Sequence, residues 1–143
     1  MKRRGFTLVE LLIVVIILGI LAAIVVPQFS DASSDTQVSS LRTNLQTIRG
    51  QIELFRLQHS GTYPALTTFV DQMTKRTDAA GAVSANGAFG PYLQAIPVNP
   101  MNNSAELSSS TSDTAKGWYY DQNTGTFKAN DGKTVGGTAT NTY

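Results

Sequence analysis

The sequence has no cysteine and a single histidine, His59. Without thiols there can be neither a disulfide framework nor a thiolate metal site, and cysteine usage says nothing about redox compartment. A histidine-based catalytic constellation would have to use His59. The apolar pattern places that residue at the end of a helix, where a cation complements the macrodipole, and no serine or acidic motif accompanies it in a recognisable order. The glycines of residues 132–137 lack both a following helix pattern and a lysine-serine pair, so they form no phosphate cradle. A formal net charge of +1 gives no reason to expect a nucleic-acid partner. These absences argue against an enzyme.

Charge is also missing locally. Between Phe6 and Val26 the only ionisable side chain is Glu10, and none follows until Asp31. Such a segment is long enough to cross a bilayer, since ~20 apolar residues rising about 1.5 Å each span a hydrocarbon core of roughly 30 Å. Lys2, Arg3 and Arg4 stand directly before it and orient its N-terminus towards the cytoplasm. Setting those three aside, eight basic side chains face ten acidic ones, so the rest of the chain is mildly acidic. A secretory signal peptide shares the basic-then-apolar pattern. The unbroken apolar run exceeds the usual signal core, however, and small-x-small cleavage sites are poor around Ala22 and Ala23. A plain signal anchor accounts for the run but not for Glu10, because a carboxylate in the apolar layer costs on the order of 2.5 kcal/mol unless it is paired or protonated. The alternative for Glu10 is solvation at the headgroup level.

The stretch from Lys2 to Gly5, followed by Phe6-Thr7-Leu8-Val9-Glu10-Leu11-Leu12, resembles the prepilin processing motif of type IV pilins and type II secretion pseudopilins. The resemblance implies that a membrane peptidase cuts after Gly5 on the cytoplasmic side and methylates the new N-terminus at Phe6. It implies also that Glu10 is the subunit assembly residue. Cleavage creates an ammonium on Phe6. In lipid, that cation and the Glu10 carboxylate can neutralise one another, either along one helix face or between neighbouring subunits.

Pro27 should kink or locally melt the helix. Beyond it, Val38, Leu41, Leu45, Ile48, Ile52 and Phe55 step by three and four, the stripe of an amphipathic helix that ends near His59 before Gly61 and Pro64. Arg42, Arg49 and Arg56 recur every seven residues beside that stripe and are expected to form a solvated edge. Leu66, Phe69, Val70 and Met73 have the spacing of a short helix, and residues 78–90 read as a loop. Gly90 to Pro100 is too proline-rich for helix and resembles the linker of the major type II pseudopilin. Trp118 to Asp121 and Thr126 to Ala129, joined by Gln122-Asn123-Thr124-Gly125, form a hairpin signature.

The expected fold is therefore α+β: a pilin fold in which a long N-terminal helix, transmembrane in its first half, packs on a small C-terminal antiparallel sheet. The expected organisation is a leader at 1–5, an assembly helix at 6–27, its amphipathic continuation at 28–60, a head at 61–135 and a disordered tail at 136–143. The resemblance, strongest to the major pseudopilin, implies a subunit of a secretion pseudopilus or type IV pilus-like filament. Its implied partners are copies of itself, minor pilins or pseudopilins, the prepilin peptidase, and an inner-membrane platform with its cytoplasmic ATPase. It implies an inner-membrane protein with its head in the periplasm or outside. A signal-anchored binding module displaying Trp118, Tyr119 and Tyr120 is the alternative from another class. The major pseudopilin usually carries calcium in a C-terminal loop. Asp121, Asn123, Asn130 and Asp131 are oxygen donors of the right kind, but no ligand motif matches and Asx turns are the expected use of each, so no cofactor is assigned and calcium stays open.

Overall fold

The computed structural model describes residues 6–143, the side chains of residues 26–32 excepted. Two compact units result, Met1–Thr36 and Gln37–Tyr143. Helix α1, Leu8–Gln58, contributes to both and is assigned as α-helix through Pro27, so the local melting expected there does not occur.

In the first unit every described side chain from Phe6 to Val25 is exposed. Among the described residues, the segment Leu8–Val25 is the one helix long and apolar enough to cross a membrane. An apolar helix with no buried face cannot be stable in water alone, because no protein partner offsets its exposed surface.

In the second unit the stripe behaves as its spacing predicts: Val38, Leu41, Leu45, Ile48, Ile52 and Phe55 are all buried. They meet Phe69 and Met73 from α2 (Phe69–Thr74), which follows a 3-10 turn at Leu66–Thr68. The remaining core comes from Ile96, Met101, Trp118, Tyr120, Phe127 and Ala129. α1 closes with Ser60 in the left-handed region (φ 54°), and the Gly61 N–H reaches back 2.9 Å to the Arg56 carbonyl, the longer bond of a Schellman closure.

The sheet has three strands in the order β1 (Leu107–Ser108), β2 (Trp118–Asp121) and β3 (Thr126–Ala129). β2 and β3 pair antiparallel, with Trp118 opposite Ala129 and Asp121 opposite Thr126. β1 joins them as a parallel edge, Leu107 opposite Trp118. The α+β pilin fold is thus present, with an antiparallel hairpin at the heart of its sheet.

The tail is a correction. Residues 136–143 are not disordered: β4 (Thr134–Val135) pairs with β5 (Thr138–Ala139), and a 3-10 turn follows at Thr140–Thr142. The cause is tertiary rather than local. The buried Thr140 hydroxyl donates to Asp131 Oδ1 at 2.6 Å, and the Tyr143 ring lies under the Arg42 guanidinium, 4.3 Å from its centroid.

Candidate functional site

The N-terminus of α1 is built by Thr7, Glu10 and Leu11. Thr7 stands at the N-cap, its carbonyl accepting from Leu11 N–H at 3.3 Å. Its backbone N–H and its hydroxyl both donate to Glu10 Oε2 at 2.8 Å, while Glu10 N–H donates to the Thr7 hydroxyl oxygen at 3.2 Å. This reciprocal pattern is a capping box, in which a threonine and the glutamate three positions on satisfy amides that the first helical turn leaves without partners. Thr7-Leu8-Val9-Glu10 carries that signature in the sequence, beneath the stronger signals of the apolar run and its lone charge. Both bonds to the carboxylate fall on one oxygen, Oε2. Phe6 precedes the cap and is exposed. Gly5, the expected cleavage residue, lies outside the described residues.

The aromatic residues of the alternative binding surface point elsewhere. Trp118 and Tyr120 are fully buried; the indole N–H donates to Pro97 O at 2.9 Å and the Tyr120 hydroxyl to Pro64 O at 2.7 Å. Burial pushes the Tyr120 hydroxyl well above its ordinary pKa. Alternation along β2 sends both rings into the core and leaves Tyr119, half-buried, on the opposite face, so the three do not share one display surface. His59 is likewise buried. Its ring stacks on Phe55 at 3.8 Å between centroids, and Nδ1 must carry the hydrogen because it faces the Phe55 carbonyl at 2.7 Å. The Thr77 hydroxyl then donates to Nε2 at 3.1 Å. Ring and hydroxyl are both buried, so neither has access to a substrate.

Of the arginine row, Arg42 and Arg56 are exposed, as a solvated edge requires, while Arg49 is half-buried. Arg49 donates to Phe127 O at 2.9 Å and Tyr143 O at 2.8 Å, and Arg56 pairs with Glu53 at 3.1 Å while covering the Tyr63 ring.

Of the four candidate oxygen donors, Asp121 closes its own Asx turn. Its Oδ1 accepts from the Asn123 backbone N–H at 2.9 Å and Oδ2 from the Thr124 hydroxyl at 2.9 Å, which hold its pKa below the usual aspartate value, the backbone bond most strongly. Asp131 is buried, with Oδ1 taken by Lys133 N–H and the Thr140 hydroxyl and Oδ2 by the Asn99 carboxamide at 2.8 Å. Asn130 directs its Nδ2 at the carbonyls of Ser110 and Asp113. Among the described residues no three acidic or histidine side chains cluster as metal ligands.

A head packed on the C-terminal part of a helix whose first turns are apolar, exposed and marked by one carboxylate defines a membrane-anchored structural subunit. Comparison with known proteins names the family. Residues 1–26 match the model of the prokaryotic N-terminal methylation motif. The chain is 32% identical over 106 residues to the type II secretion system core protein G of Pseudomonas aeruginosa, covering 72% of this chain and 73% of that one. It is 28% identical over 102 residues to the protein of the same name from Vibrio cholerae, covering 71% and 68%. A fimbrial protein of Neisseria meningitidis is 32% identical over 108 residues, 76% of this chain and 57% of the other. No solved structure matches the chain significantly. The chain belongs to the family of type II secretion pseudopilins and type IV pilins; it is a structural filament subunit and not an enzyme.

Proposed function

We propose that the chain is a subunit of a type II secretion pseudopilus, inserted in the inner membrane with its N-terminus in the cytoplasm and its head in the periplasm. Lys2, Arg3 and Arg4 supply the orientation by the positive-inside rule. The prepilin peptidase cleaves after Gly5 and methylates Phe6. The mature chains then assemble with one another and with minor pseudopilins on an inner-membrane platform driven by its cytoplasmic ATPase. The observation that carries this reading is Glu10, the one ionisable side chain among the exposed apolar residues of Leu8–Val25. In a filament that carboxylate meets the Phe6 ammonium of an adjacent subunit, so two charges that are costly apart in lipid become a contact that sets axial register.

Mass spectrometry of chains extracted from membranes tests the processing: the mature protein should begin at a methylated Phe6, and a terminus beyond Ala22 would move it to the secretory signal class. Glu10→Leu tests the pairing. The variant should be inserted and cleaved but should not form filaments, since each incoming amine then has no carboxylate to meet. Wild-type assembly of a processed Glu10→Leu chain would return Glu10 to solvation at the headgroups.

A further inference from the structure

Residues 109–117 join β1 to β2 without regular structure, although the two strands are parallel neighbours. A parallel pair obliges the connection to run back from the end where β1 stops to the end where it began, which here is done by a short loop rather than a helix. The carbonyls of such a loop need donors from outside it.

Three asparagines supply them. Asn130 Nδ2 donates to Ser110 O at 3.0 Å and Asp113 O at 2.9 Å. Asn102 Nδ2 donates to Thr114 O at 3.2 Å and Lys116 O at 3.0 Å. Asn99 Nδ2 donates to Gly117 O and to Asp131 Oδ2, both at 2.8 Å. Each carboxamide nitrogen has two hydrogens to give, and each gives both. For two of the three the orientation is set from the opposite end as well: Asn99 Oδ1 accepts from Met101 N–H at 2.9 Å and Asn102 Oδ1 from Ser104 N–H at 3.2 Å. An amide flip would set oxygen against oxygen.

Five carbonyls and a carboxylate oxygen are the kind of ligand set that a calcium ion takes, six to eight hard oxygens. Here each of those oxygens already accepts an N–H from a carboxamide, and they are divided among three asparagines. The remaining carboxylate oxygen of Asp131 is taken by Lys133 N–H and Thr140, and the Lys133 ammonium donates to Met101 O, beside Asn99 and Asn102 in the chain. The residues present do not fit calcium. We infer that the Asn99, Asn102 and Asn130 carboxamides fasten this loop in place of the metal that the family resemblance leads one to expect, so that the head folds independently of calcium.

Trp118, the sole tryptophan, is buried at the end of the loop and reports its melting. The test follows Trp118 fluorescence during thermal unfolding of the full chain in detergent micelles, with millimolar calcium chloride or with EGTA. The wild-type midpoint should be the same in both. Asn102→Ala and Asn130→Ala should each lower it by about 5 °C or more, equally in calcium and in chelator. Asn130→Asp, which turns an acceptor towards Ser110 O and Asp113 O, should melt lower in EGTA than wild type. A wild-type midpoint that rises with calcium overturns the inference, as does an Asn130→Asp chain as stable in EGTA as the wild type.

Discussion

Arg49 shows how a side chain with an ordinary surface pattern acquires a specific task. It leaves α1 beside the buried stripe, and its fork closes on Phe127 O in β3 and on Tyr143 O. Partial burial lowers its pKa, though a guanidinium remains charged at any relevant pH. Arg49→Met keeps the apolar stem but leaves both carbonyls to find water. Hydrogen bonds from a charged donor contribute about 1.5–3 kcal/mol, so denaturant unfolding should show a loss near 2 kcal/mol and faster amide exchange at Thr140 to Tyr143. Asp121 carries a pH signature. Its folded pKa lies below the ordinary 3.8, chiefly through the Asn123 N–H and then the Thr124 hydroxyl. The stabilisation is therefore fully present above 3.8 and is lost as the pH falls through the depressed folded value. Asp121→Asn, which can still form the turn but carries no charge, should be less stable than wild type at pH 7, and the gap should close on acidification below 3.8, as read from unfolding curves at a series of acid pH values.

At the scale of elements, what could be read from the sequence was whatever a local period or a turn signature carries. The i, i+3, i+4 stripe from Val38 to Phe55 needs only one face of one helix to be apolar, and Gly125 (φ 70°) sits in the hairpin turn where a Cβ would lie 2.3 Å from the Tyr63 ring. What could not be read depends on partners distant in the chain. The tail is polar and glycine-rich, yet it is ordered by Asp131, Arg42 and Arg49, and even the seven-residue spacing of the arginines does not point to the tail as their partner. The parallel placement of β1 is a two-residue matter with no sequence period at all. The Thr7–Glu10 capping box was readable and lay under a stronger signal. The stripe also makes a quantitative expectation: Leu45→Ala removes a fully buried side chain at the centre of the helix's contact with the head and should cost about 2–5 kcal/mol in equilibrium unfolding.

For the whole molecule, the issue is whether Glu10 serves its own helix or a neighbouring subunit. Within one chain its Oε2 closes the capping box with Thr7, which by itself would account for a glutamate at this position. The two roles differ in what they need. Capping needs an acceptor, which a glutamine also provides; neutralising a Phe6 ammonium in the apolar layer needs the negative charge. Glu10→Gln should thus keep the helix start, insert in the membrane and be cleaved, yet fail to build filaments. Thr7→Val makes the converse change. It removes the hydroxyl that bonds Glu10 and costs the first turn about 0.5–2 kcal/mol, but it leaves the carboxylate charged and, with one partner fewer, more available to another chain. Thr7→Val should assemble. Mass spectrometry confirms that both variants are processed, and sheared filaments are then quantified by sedimentation and electron microscopy. Expressed together with wild type, Glu10→Gln should give sparse filaments, because every variant subunit leaves one neighbouring amine without its partner. Filaments at wild-type levels from Glu10→Gln, with none from Thr7→Val, would show that the glutamate acts as a cap and that the contact between subunits lies elsewhere on the helix.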